Sequence, residues 1–175
     1  MDSPEKLKKY IRNIPDFPTE GIQFKDITTL LEDAYALHET ASILTDYYKN
    51  RGITKVVGIE SRGFILGSIL AYNLNVGFIP IRKPGKLPAE TFEEIYEKEY
   101  GFDKIQIHKN MLKKNDVVLV HDDLLATGGT SIAACNLINK IGVEKIYLNF
   151  IIELEELNGR SKIPKDVELM TLLKF

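Results

Sequence analysis

Asp122 and Asp123 stand side by side in "VLVHDDLLATGGTS" (Val118–Ser131), where an apolar run gives way to small residues. Adjacent carboxylates repel each other, so the pair asks for a ligand that both can serve. A carboxylate accepts from several hydroxyl donors and suits a neutral polyol. The run that follows, Ala126, Thr127, Gly128, Gly129 and Thr130, has the composition of a junction that holds an anion. Glycine lets backbone approach a ligand closely. N–H groups at a helix start, with the dipole behind them, favour phosphate. The two threonine hydroxyls add donors. "TGGT" alone fits an ordinary capped loop equally well. Acids and loop together fit a ribose 5-phosphate, whose hydroxyls and phosphate occupy different ends of one ligand. Paired aspartates holding magnesium are the competing reading. Neither a Walker pattern nor G-x-G-x-x-G occurs, which disfavours a nucleotide triphosphatase or a dinucleotide enzyme.

Two more stretches carry cations. In "GIESRGFILG" (Gly58–Gly67), Arg62 and the backbone around Ser61 can bind a second anion. A positive charge at a helix start opposes the dipole, which favours a ligand role over a plain surface arginine. "IRKPGKLP" (Ile81–Pro88) brings Arg82, Lys83 and Lys86 to one turn. Alone it is a basic turn. With the other two it describes a sugar carrying a second, larger phosphate.

These residues need a frame. Leu37, Ala41, Leu44 and Tyr48 repeat at helical spacing within Tyr35–Arg51, with Gly52 as the stop. "KVVGIES" (Lys55–Ser61), "VGFIPIRK" (Val76–Lys83), "DVVLVHD" (Asp116–Asp122) and "KIYLNFII" (Lys145–Ile152) read as strands. Gly63–Leu74 reads as a buried helix and Thr130–Ile141 as another. Strands apolar on both faces, alternating with helices, predict an α/β fold: a parallel twisted sheet with helices on both faces. Such sheets bind ligands beyond the C-terminal ends of their strands, where all three stretches fall. Pro4–Asn13 reads as a short amphipathic segment, broken by "IPDFPTEG", and "IQFKDITTLL" as an extended piece leading into a turn. Pro84–Lys114 is long for a connection and charged, a surface hairpin or a lid.

The chain closely resembles the adenine phosphoribosyltransferases. The motifs that carry the resemblance are "DFPTEGIQFKDIT" (Asp16–Thr28), "GIESRGF" (Gly58–Phe64), "IRKPGKLP", "EYG" (Glu99–Gly101), "IQIHK" (Ile105–Lys109) and "DDLLATGGT", in family order over almost the whole chain. The resemblance implies a single type I phosphoribosyltransferase domain over residues 1–175. An N-terminal hood (1–34) contributes to the base site, and a flexible lid (84–109) covers the crevice. It implies that Asp122 and Asp123 hold the ribose of phosphoribosyl pyrophosphate and that Ala126–Thr130 hold its 5-phosphate. Ser61, Arg62 and Lys83 contact the pyrophosphate, which magnesium accompanies. Phe24 stacks on adenine, with the backbone of Gln23 and the neighbourhood of Lys25 at the base edge. Glu99 is the acid/base residue, and Tyr100 helps close the site. A homodimer is the family expectation. The chain departs from the family at His121 and Lys98, where apolar residues are usual, and at Lys25, where some relatives carry Arg. His121 reads as a strand-end side chain or as a charge near the sugar site. His38 and His108 read as surface residues.

Composition bounds the partners. The 175 residues are 44% hydrophobic, and 23 basic against 25 acidic side chains leave a net charge of −2. That balance gives no general reason to expect nucleic acid or an anionic membrane as partner. Cys135 is the single cysteine, expected to be packed in the helix after the loop, so no internal disulfide forms. With no signal-like or spanning apolar run, a soluble cytoplasmic protein is expected. The rival functions are transfer to xanthine or hypoxanthine, a non-catalytic sensor of phosphoribosyl pyrophosphate, and a phospho-acceptor receiver. The last needs its acids near the first strand, not two-thirds along the chain.

Overall fold

The computed structural model describes residues 4–97 and 101–175. Nine strands and four α-helices follow in chain order: β1 (Arg12–Pro15), β2 (Gln23–Asp26), α1 (Thr28–Glu32), α2 (Ala34–Tyr48), β3 (Lys55–Ile59), α3 (Gly63–Asn73), β4 (Gly77–Ile81), β5 (Thr91–Glu97), β6 (Phe102–His108), β7 (Val117–Leu125), α4 (Gly129–Asn139), β8 (Lys145–Glu153) and β9 (Glu168–Lys174). A five-stranded sheet in the order β4-β3-β7-β8-β9 forms the centre, and every neighbouring pair in it is parallel. Valine, isoleucine and leucine on both faces of β7 and β8 bury the middle of that sheet. One face packs on α4 and residues of β6, through Val118, Val120, Ala134, Ile138 and Ile107. The other packs on α1–α3, through Leu30, Leu44, Leu66, Leu119 and Ile151. Among the described residues, no helix is long and apolar enough to cross a membrane.

Two antiparallel hairpins stand outside the sheet. β1 and β2 pair with Ile14 opposite Phe24, and Arg12 holds Asp26 across the ladder at 2.5 Å. β5 and β6 pair from Thr91↔His108 to Glu97↔Phe102, and a bridge between Arg82 and Gln106 ties them to the end of β4. The long charged segment is therefore a β-hairpin docked beside the sheet. It packs on α4 through Ile105, Ile107, Phe92 and Tyr96, and polar contacts add to this: Lys140 donates to Glu93 O at 2.9 Å and pairs with Glu94 at 2.5 Å.

The amphipathic N-terminal segment is a 3-10 helix over Pro4–Tyr10. Four details differ from the sequence reading. β7 does not stop at Asp122 but runs on through Asp123 to Leu125, because its partner β8 continues alongside to Glu153. β9, an edge strand, lies in a stretch for which no element was expected. His121 is neither at a strand end nor exposed; it is fully buried inside β7. His38 is exposed as expected, whereas His108 is half-buried. Cys135 is buried in α4, where desolvation pushes its thiol up to about 12.

Candidate active site

β3 and β4 end together beside Asp122 of β7, and α3 begins there; β7 runs on to Leu125 before the loop that opens α4. Neither α3 nor α4 has a side-chain cap, so first-turn N–H groups point outward without a side-chain acceptor. Gly128 precedes α4 with φ +84°, a left-handed turn that glycine tolerates. Gly63 at the start of α3 crosses β7 closely: a methyl there would lie 2.6 Å from His121 O and 3.0 Å from Asp122 Oδ1. Glycine is thus what lets the α3 start and the acids share one crevice.

A cavity of about 240 Å³ opens at this edge, lined by Glu60, Arg82, Lys83, Tyr96, Asp122 and Thr130 among others. A larger, open concavity of about 660 Å³ lies at the C-terminal end of α3, along Ala71–Gly77, and touches none of these residues. The small cavity is the chemically equipped one. It joins the ends of β3 and β4, Asp122 of β7, the start of α4 and the basic turn after β4.

The two aspartates take different partners, as side-chain alternation along a strand requires. Asp122 is half-buried in the cavity wall, and its Oδ1 accepts from the Asp123 N–H at 2.9 Å. Asp123 is 4% exposed. Arg62 Nε lies 2.8 Å from its Oδ2, an ionic contact without a directed hydrogen bond to that oxygen. Burial and the Asp123 charge raise the Asp122 carboxyl well above its usual range. Burial also raises Asp123, against the pull of Arg62. Asp123 Oδ2 is buried without a directed donor, the state expected of a group built to accept from a ligand.

Arg62 also reaches the β1–β2 hairpin. Its Cζ lies 5.5 Å from the centre of the Phe24 ring, and Phe17 meets the same ring edge-on at 5.1 Å. A continuous path therefore runs from Phe24 through Arg62 to Asp123. The alternation of β2 that turns Phe24 inward turns its neighbours away. Lys25 Nζ donates to Asn13 Oδ1 at 3.0 Å and lies over the Phe175 ring, and the Gln23 side chain accepts from Asn13. The side chains of Gln23 and Lys25 are thus committed to the other face of the β1–β2 hairpin.

The basic turn is organised by Glu60, which the sequence reading did not single out. Its carboxylate accepts from Arg82 Nη2 at 3.2 Å and Nε at 3.3 Å, and from the Lys83 N–H at 2.9 Å. Those bonds hold its carboxyl below the usual range. The Glu60–Ser61 peptide is cis, and Ser61 is exposed. Lys83 Nζ pairs with Asp103 of β6 at 2.7 Å, and Tyr96 donates to the same carboxylate at 3.3 Å. The cation expected to meet pyrophosphate is thus tied to the hairpin. That hairpin reaches the loop: a methyl at Gly129 would lie 3.4 Å from Glu97 O. Glu99 and Tyr100 lie outside the described residues, as does Lys98.

His121 contributes no charge. Its Nδ1 meets Asn149 Oδ1 at 2.7 Å, while burial presses its pKa down to about 4. It is a neutral core residue behind the site.

Comparison with known proteins agrees with this layout. The model of the phosphoribosyl transferase domain matches residues 26–169. An adenine phosphoribosyltransferase from Bacteroides thetaiotaomicron is 63% identical over 171 residues, spanning 98% of this chain and 97% of the relative. The crystal structure of adenine phosphoribosyltransferase from Rhodothermus marinus superposes with a TM-score of 0.92 at 48% identity, covering 98% of both chains. That of the Giardia lamblia enzyme complexed with 9-deazaadenine superposes at 0.94 and 45% identity, over 100% of this chain and 99% of the other.

Proposed function

The chain belongs to the phosphoribosyl transferase family, and on that premise we propose that it transfers the phosphoribosyl group of 5-phosphoribosyl 1-pyrophosphate to adenine, giving AMP and pyrophosphate. The observation that carries this reading is the path from Phe24 through Arg62 to Asp123, beside the uncapped α4 start. It orders the crevice as base, pyrophosphate, ribose and 5-phosphate, the order of groups around the reacting sugar carbon. The near-complete overlap with relatives named for adenine supports that base over another purine.

In this reading Asp122 and Asp123 accept from the ribose hydroxyls. Their raised proton affinity means that hydroxyl donors stabilise the ionised acids on binding. Ala126, Thr127, Gly128, Gly129 and Thr130 give N–H and hydroxyl donors to the 5-phosphate. Ser61, Arg62 and Lys83 receive the pyrophosphate, for which Arg62 must leave Asp123 and Lys83 must leave Asp103. The cations then stabilise the departing charge. Magnesium fits as a partner of the substrate: among the described residues no group of three His, Cys, Asp or Glu could hold the ion, and two adjacent acids suit hydroxyls better than a closed metal cage. Bound mainly through the substrate's pyrophosphate, it would offset the leaving group's charge.

Phe24 stacks on adenine, with backbone around Gln23 and Lys25 at its edge. Glu99, in the segment joining β5 to β6, exchanges the proton at the purine or steadies the cationic sugar. Tyr100 closes over them. Residues 1–34 act as the hood of a single domain and 84–109 as the lid that keeps water from the activated sugar. The outer face of α3 exposes Ile65 (42%) and Tyr72 (85%), an apolar stripe that supports a homodimer. The cytoplasm is the expected compartment.

The test is product formation. Enzyme, magnesium, phosphoribosyl pyrophosphate and adenine should give AMP and pyrophosphate in equal amounts; phosphoribosyl pyrophosphate bound tightly without turnover would point to a sensor instead.

A further inference from the structure

The loop assigned to the 5-phosphate is backed by a turn that the chemistry above does not use. Gly159 opens a short 3-10 turn (Gly159–Lys162) between β8 and β9. It packs directly on loop backbone: a methyl at Gly159 would lie 2.1 Å from Ala126 O and 3.0 Å from Gly128 N. The contact is reciprocal, because a methyl at Gly128 would lie 2.9 Å from Gly159 O. Two glycines let backbone rest on backbone with no side chain between, so the position of the turn sets the position of the loop.

The turn is itself fixed by the residue after Gly159. Arg160 grips Glu153 with both arms, Nε to Oε1 at 2.8 Å and Nη2 to Oε2 at 2.6 Å. Glu153 ends β8 and is 4% exposed. Thr171 of β9 completes the set, donating to Glu153 Oε2 at 2.7 Å and accepting from Arg160 Nη2 at 2.9 Å. Such a forked pair fixes geometry more than it adds net stability. None of the three residues lines the crevice.

We propose that Glu153, Arg160 and Thr171 are positioning residues for the phosphate loop, acting through Gly159, and that they set affinity for the phosphorylated sugar and not for the base. The proposal rests on reading Ala126–Thr130 as the 5-phosphate site. Steady-state kinetics of Arg160→Met, Arg160→Lys and Thr130→Val test it, with melting temperatures alongside. Arg160→Met should raise KM for phosphoribosyl pyrophosphate about tenfold or more and leave KM for adenine unchanged. Arg160→Lys, which keeps the charge without the fork, should recover part of the loss. A raised KM in Thr130→Val with none in Arg160→Met overturns the inference while the loop reading stands. No change in either variant removes the loop reading as well. An equal rise in both KM values, or a lowered melting temperature alone, also overturns the inference. If Arg160→Met does not fold, Glu153→Gln/Arg160→Met, which leaves no unpaired buried charge, takes its place under the same criteria.

Discussion

His121 offers a stability experiment whose size follows from its surroundings. Burial holds its pKa near 4 in the folded chain, against 6.5 for the free side chain. As pH falls through 6.5 the unfolded chain takes up a proton that the folded chain refuses. Stability is therefore lost as pH falls, from about 6.5 until the folded imidazole protonates near 4. At about 1.4 kcal/mol per pH unit, the full loss is roughly 3 kcal/mol. Replacement by leucine removes the titration but leaves Asn149 Oδ1 without its partner, a cost of about 1–3 kcal/mol that does not vary with pH. Urea unfolding of both proteins at intervals from pH 8 to pH 4 separates the two effects. The wild type should lead His121→Leu at pH 8, and the gap should shrink or reverse by pH 4 by roughly 3 kcal/mol. Parallel profiles would refute the claim that His121 is a neutral buried group.

Three further outcomes are expected. Asp122→Asn should raise the melting temperature at pH 7, because ionisation of a carboxyl with a raised folded pKa costs stability above that pKa; it should also raise KM for phosphoribosyl pyrophosphate about tenfold or more. A variant that is neither more stable nor weaker in binding sets aside the ribose role. Phe24→Ala should raise KM for adenine about tenfold, from the roughly 1–3 kcal/mol that a base–aromatic stack contributes, with the sugar phosphate little affected; the reverse split would show Phe24 to be packing only. Glu99→Gln should lower kcat by about 10²-fold or more with smaller changes in KM, and undiminished turnover would take Glu99 out of the chemistry.

The sequence exposed those parts of the molecule in which local chemistry and tertiary role coincide. The doubled acid and the glycine-threonine loop mark a candidate site before any fold is known, and β3, β4, β7 and β8 declare themselves by apolar residues on both faces. β9 is harder to read because an edge strand needs less burial, and "ELMTLLK" is half-exposed along most of its length. The continuation of β7 through two charges depends on its pairing with β8, which no local pattern contains. Gly159 carries meaning only through a contact with Gly128, distant in sequence. Glu60 and Asp103 are legible only once their cationic partners are in place. The direction of Lys25 was in principle legible: if Phe24 faces the site, strand alternation sends Lys25 the other way.

The central claim is that this crevice joins phosphoribosyl pyrophosphate to adenine in particular. It is tested most directly by measuring pyrophosphate release with adenine, hypoxanthine and xanthine offered separately under one set of conditions. The account predicts rapid release with adenine and little or none with the two oxopurines. Release with hypoxanthine or xanthine, and none with adenine, would contradict it.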